Sequence, residues 1–225
     1  MRWLIGVIAL HGLLLCSDLV SAASPEAAEG IAIGKKLLEQ GNVEAAIGEF
    51  QKATAINPEY GAAQLHLGQA YERANRNDEA VDAYRKSVEL EPHNFFARNN
   101  LGVLYSKKGM HDQAIAEFQD AVKIQPNNAM ALKNLETAKK NKAAMQEREA
   151  VIARAEKDAE AKPGDPTPTY QLARVYATYG RKGEAIEWLG KAIQKGYKDL
   201  AYVSTDPAFA NLREERDFQL LLLSK

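Results

Sequence analysis

The sequence predicts an all-α fold, an α-solenoid of antiparallel helix pairs, on two observations. A set of small, aromatic and proline residues recurs three times at a spacing of 34 residues without a slip. Each period also splits into two amphipathic halves with apolar spacings of three and four, the mark of a helix that buries one stripe. The recurring set begins with Gly34, Gly68 and Gly102, followed three residues on by Leu37, Tyr71 and Tyr105. Ala46, Ala80 and Ala114 come next, then Phe50, Tyr84 and Phe118, then Ala53, Ser87 and Ala121, and last Pro58, Pro92 and Pro126. One such unit cannot bury its apolar face alone, so neighbours must stack.

Each element has a local reason. In the third period the first helix is predicted over 95–108 and the second over 112–124. Between the halves stand Gly41, Asn75 and Gly109, the residue types that accept a left-handed helix end at least steric cost. Asn42, Asn77 or Asp78, and Asp112 follow where the next helix needs a cap. The small residues let two helices approach, and the aromatics fill the space beside them. The proline then stops the second helix and sets the turn into the next period. Tyr71, Tyr84, Tyr105 and Phe118 are therefore expected in the core and not as a ligand box.

The order G-x2-Y, A-x3-F, P on a 34-residue period resembles the tetratricopeptide repeat (TPR) family. The resemblance implies a right-handed superhelix that binds partners on a curved surface and does no chemistry. Repeats are expected near 27–60, 61–94 and 95–128, with the first helix of a fourth completing an array over 23–141. After Pro126 the register weakens, and 142–165 reads either as a degenerate repeat, its two helices fused through the missing turn, or as a charged helical spacer. The loop at Pro163-Gly164-Asp165-Pro166 precedes a return of the pattern at Leu172-Ala173, Tyr176, Gly180, Ala185, Leu189 and Ala192. The segment 166–225 is thus a final repeat plus a tail that resembles the end-of-group tail found after bacterial TPR arrays. The tail is expected to cap the last apolar face, with the four leucines at 220–223 as part of that packing.

At the N-terminus, Arg2 supplies a positive charge, residues 3–16 form an apolar core, and Val20-Ser21-Ala22 offers small residues to a signal peptidase. Residues 1–22 therefore read as a secretory signal, too short for a comfortable membrane span. The alternatives are an uncleaved anchor and a lipoprotein signal at Cys16, against which the preceding leucine argues. The mature chain is expected to be exported, periplasmic or extracellular, with no later membrane span. Cys16 is the one cysteine, so the mature chain has no disulfide and no cysteine metal site. A formal net charge of −1 and a pI near 6.5 give no field for nucleic acid.

Nothing points to catalysis, a cofactor or a metal. His93 and His111 are expected in solvated turns and His66 on the first helix of the second repeat. None has a partner at metal or triad spacing, and no glycine-rich phosphate loop or nucleophile elbow occurs. In the family the first helix of each pair lines the groove, at repeat positions two, five, six, nine, twelve and thirteen. Carried over, that implies Leu65, His66, Gln69, Glu72 and Arg73; then Phe96, Asn99, Asn100, Val103, Ser106 and Lys107; then Met130, Lys133, Asn134, Thr137 and Lys140. Asn100 and Asn134 are one period apart, and stacked amides can hold an extended backbone without reading its sequence. Phe96 and Met130 would add apolar pockets. The family's two-carboxylate clamp is not matched, since Ala28 and Ala32 stand at two of its positions. The expected function is binding of a partner protein or extended peptide. The alternative is an envelope-anchored, lipoprotein-like scaffold in a multiprotein assembly.

Overall fold

A computed structural model describes residues 24–223, and the chain divides into two compact units that meet between Asn141 and Lys142. The expected signal sequence, its expected cleavage site and Cys16 lie outside the described residues. In the first unit α1 (Pro25–Glu39) pairs with α2 (Val43–Ile56), α3 (Gly61–Arg73) with α4 (Asn77–Leu90), and α5 (Phe95–Lys107) with α6 (His111–Ile124). Successive pairs also touch, α2 on α3 and α4 on α5, which is the stacking a solenoid requires.

The turn inside each pair is built identically. Gly41, Asn75 and Gly109 have φ of 80°, 59° and 72°. The next amide then donates back five residues: Asn42 to the Leu37 carbonyl, Arg76 to Tyr71 and Met110 to Tyr105, each at 2.9 Å. This double-bonded left-handed ending satisfies carbonyls that the helix would otherwise leave open. It also corrects the capping expectation. The N-cap residues of α2, α4 and α6 are Asn42, Arg76 and Met110, and none makes a side-chain cap bond. The backbone turn already fixes the chain there, so Asp78 and Asp112 fall inside the first helical turn, where their charge favours the positive helix end.

Three glycines set the distance within pairs. A Cβ on Gly34, Gly68 or Gly102 would lie 2.5, 2.6 or 2.7 Å from the ring of Phe50, Tyr84 or Phe118, all of them buried. Each ring thus lies flat on bare backbone. At the pair ends Asn57, Glu91 and Gln125 are extended, with φ near −130°, as the following proline requires.

The fourth repeat does not turn. α7 (Ala129–Ala161) is one helix of 33 residues. Its start behaves as a first helix, burying Ala131 against Phe95 and Ala121, and Ala138 against Ala114 and Phe118. Ala143 then occupies the register of Gly41, Asn75 and Gly109. Alanine resists the left-handed conformation and is the best helix former, so the helix runs on.

In the second unit the end of α7 buries Ile152 and Ala159 in a core shared with α8 (Pro166–Thr178) and α9 (Lys182–Gln194). Asp165 caps α8 by accepting from the Thr167 amide at 2.8 Å. The tail forms α10 (Leu200–Thr205), a 3-10 turn (Pro207–Leu212) and α11 (Arg216–Leu223), and it buries Val203, Phe209, Leu212 and Phe218 in the same core. Asp206 anchors it. This carboxylate is fully buried and accepts from the Tyr170 hydroxyl at 2.5 Å, Arg174 Nε at 2.7 Å and the Ala208 amide at 3.0 Å. The leucine expectation holds only in part: Leu221 and Leu222 pack on the core, while Leu220 and Leu223 face solvent.

Candidate functional site

The first helices of the first unit separate the expected groove residues by repeat position. Position two is open, with Phe96 58 % and Met130 49 % exposed. Position five is closed where another first helix follows it: Leu65 and Asn99 are buried, and only Lys133 is exposed. Asn99 is therefore a packing residue, although its sequence position matches the groove pattern. Position six is half-buried in all three repeats, and each residue there reaches back to the preceding repeat. His66 stacks on Phe50 with ring centroids 5.7 Å apart, Asn100 Nδ2 donates to the Tyr84 hydroxyl at 3.4 Å, and Asn134 Nδ2 donates to Asn99 Oδ1 at 3.0 Å. The amides expected to form a free ladder thus spend one donor each on the array itself.

Around Asn100 the side chains close a pocket of about 470 Å³, lined by Leu38, Gln69, Glu72, Arg73, Tyr84, Asn100 and Lys107. Glu72 is its hub. One carboxylate oxygen accepts from Lys107 Nζ at 2.8 Å and the other from the Tyr84 hydroxyl at 3.2 Å. Arg73 donates to the Leu38 carbonyl at 2.9 Å, which holds its guanidinium over the end of α1. Val103, beside them on α5, is half-buried. Burial pushes the Tyr84 hydroxyl above its ordinary range, and the neighbouring Glu72 carboxylate adds to the shift, so the phenol stays protonated and donates. Burial likewise holds the His66 imidazole below its usual value, against the opposing hydrogen bond to Gln69 (2.9 Å) and aided by the Lys35 charge. A neutral His66 fits its stacked position.

Two pocket groups escaped the sequence reading. The Leu38 carbonyl has no side-chain signature. Tyr84 was assigned wholly to the core, yet one signal was available: the first and third repeats carry phenylalanine there, so only the second repeat adds a hydroxyl. Of the remaining histidines, His93 is exposed as expected. His111 is half-buried as the first residue of α6, with Nδ1 buried and unpartnered, so its expected solvation does not hold. Among the described residues no cluster of three or more His, Cys, Asp or Glu could hold a metal, and no helix is long and apolar enough to cross a membrane.

What the array presents is a set of fixed donors and acceptors beside two exposed apolar side chains, on helix pairs that stack in sequence. Comparison with known proteins places this architecture. Two family models, each described as tetratricopeptide repeat, match residues 31–95 and 95–128. Over residues 31–128 the chain is built of tetratricopeptide repeats. No curated protein matches it. Among solved structures it is similar to the first TPR of Spaghetti (RPAP3) bound to the HSP90 peptide SRMEEVD (20 % identity, 55 % of this chain and 97 % of that one, TM-score 0.52). The Sgt2 TPR domain from Aspergillus fumigatus matches at 17 % identity over 56 % and 85 % of the two chains, TM-score 0.53. MamA matches at 24 % identity over 79 % and 95 %, TM-score 0.50. At these identities the likeness shows the fold.

Proposed function

We propose that this chain is an exported, non-catalytic binding protein that holds an extended segment of a partner protein across the first helices of its first unit. The observation that carries the reading is the pairing of Phe96 and Met130 with the half-buried polar row His66, Asn100 and Asn134. These apolar side chains stand one period apart and are about half exposed, Phe96 resting only edge-on against the Phe95 ring, and they flank groups already fixed in orientation. Preorganised side chains lose little entropy on binding, so modest contacts suffice. A TPR domain of the same fold is seen with a bound peptide, which supports the mode and not the peptide. Export rests on the leader at residues 1–22 and predicts a mature N-terminus at Ala23 or Ser24, read by mass.

The test is capture from the native envelope with wild type and with Phe96→Ala combined with Met130→Ala. Both side chains are exposed, so the melting curve should not move. Capture of the wild-type partner should fall by at least tenfold. Equal capture by the double variant would place the contact on another surface.

A further inference from the structure

We propose that the segment held by the first unit is acidic, and that the pocket around Glu72 takes one of its side-chain carboxylates; this rests on the groove-binding reading above. The pocket of about 470 Å³ holds more donors than it uses. Arg73 carries five N–H groups, and one meets the Leu38 carbonyl. Lys107 has three, and one meets Glu72. The Gln69 amide spends its oxygen on His66 and keeps its N–H groups. The acceptors, by contrast, already have donors. The two Glu72 oxygens take Lys107 and the Tyr84 hydroxyl, whose own oxygen takes Asn100.

Arg73 and Lys107 against Glu72 leave a surplus of one positive charge beside those spare N–H groups, which suits an anionic acceptor. The planar fork of Arg73 matches a carboxylate in particular. A cation would have to part Glu72 from Lys107 and lie beside Arg73. Both cations stand in the last turns of α3 and α5, where a positive charge favours the helix end. That accounts for their charge and not for their direction. Each reaches back 35 residues, from position thirteen to position twelve of the repeat before, and so both line one pocket. With Ala28 and Ala32 at two positions of the family's clamp, a chain-end carboxylate has no second anchor, so the anion is a side chain.

The surroundings carry the same sign. Lys35 on α1 and Lys133 on α7, both at groove positions, are exposed. Counted by layer, α1, α3, α5 and α7 up to Asn141 carry eight basic and five acidic residues, whereas α2, α4 and α6 carry four and nine. On a chain of net charge −1 the groove layer is therefore the positive one. Such a field speeds encounter with an acidic segment and turns away a basic one.

The probe is a displayed library of random dodecapeptides, fused at their C-terminal ends so that only side chains offer carboxylates. Sequences enriched on the wild-type chain should carry Asp or Glu beside apolar residues. The best of them is then made with an amidated C-terminus and read by fluorescence anisotropy. Glu72→Gln should tighten its binding several-fold, since it removes the pocket's negative charge. Lys107→Gln, at an exposed side chain, should weaken it several-fold with an unchanged melting curve, and added salt should weaken it further. Weaker binding in Glu72→Gln, or no loss in Lys107→Gln, would overturn the proposal. A free C-terminus that binds tenfold tighter would move the site to chain ends and overturn it too, as would displacement by an equal concentration of oligothymidine. Phe96→Ala with Met130→Ala separates the two readings. Basic or uncharged winners that this double variant abolishes would keep the groove and overturn the acidic segment. No enrichment, or winners indifferent to the double variant, would overturn both.

Discussion

A methyl group on Gly102 would meet the Phe118 ring at 2.7 Å, so Gly102→Ala must displace a fully packed aromatic although alanine favours the helix. The overpacking term, about 1–3 kcal/mol, exceeds the gain in propensity of about 1 kcal/mol. Thermal melting should therefore fall. Gly48→Ala is the control: nothing lies within 4 Å of its added carbon, and the same propensity should raise stability by about 0.5–1 kcal/mol. If both substitutions shift the melt alike, glycine–aromatic contact does not set the pair distance. Asp206 gives a pH signature at the same scale. Burial alone would raise its pKa, but the bonds from Tyr170, the Ala208 amide and Arg174 outweigh it and hold the carboxyl below its ordinary value of 3.8. The unfolded chain then binds the proton first on acidification, so stability is complete above about pH 4 and drains away as pH falls further. Asp206→Asn should flatten that acid limb and cost about 3 kcal/mol at neutral pH, since it unpairs a buried network. An unchanged acid limb in the variant would show that other carboxylates govern it.

Among the elements, the three regular pairs were legible because the period repeats every constraint: left-handed turn, bare glycine, flat ring, stopping proline. α5 and α6 fall within one residue of their predicted bounds. α7 was legible only as a choice between a fused degenerate repeat and a charged spacer, and both readings give the continuous helix that is found. Ala143 removes the left-handed stop without adding any breaker, so helical propensity decides locally. Ala143→Pro should cost about 3 kcal/mol of local helix and open the chain to protease near 139–147. The described cores on either side have no member in that stretch and should keep their own protection. Cleavage no faster than wild type would mean that the helix is already open there. The groove was less legible than the helices. Which residues sit at position five can be counted from sequence, but whether they are open depends on the next first helix, which buries Asn99 and leaves Lys133 free. The hydroxyl of Tyr84 was hidden by a position whose packing role is real and whose polar tip is a second role.

Among the described residues, the first and last repeats each lack one neighbouring repeat, so each must close a face that inner repeats bury against the next. The first repeat answers in its sequence: Glu29, Lys36 and Gln40 stand where Ala63, Ala70 and Ala74 pack in the second, although Ile33 on its first helix stays exposed. The last repeat answers with the tail. Removing residues 200–225 would uncover Tyr170, Leu172, Tyr176 and Leu189 of the second core. The truncated chain should aggregate or lose the ellipticity of the second unit, while an equally stable, soluble truncation would reduce the tail to a linker.

The binding reading stands or falls on which helices a captured partner shields. Hydrogen exchange of the complex against the free chain reads that directly, peptide by peptide. The expected result is slowed exchange along α3, α5 and the first turns of α7, around His66, Asn100 and Asn134, with α2, α4 and α6 unchanged. Protection confined to α2, α4 and α6, or to the second unit, would contradict it.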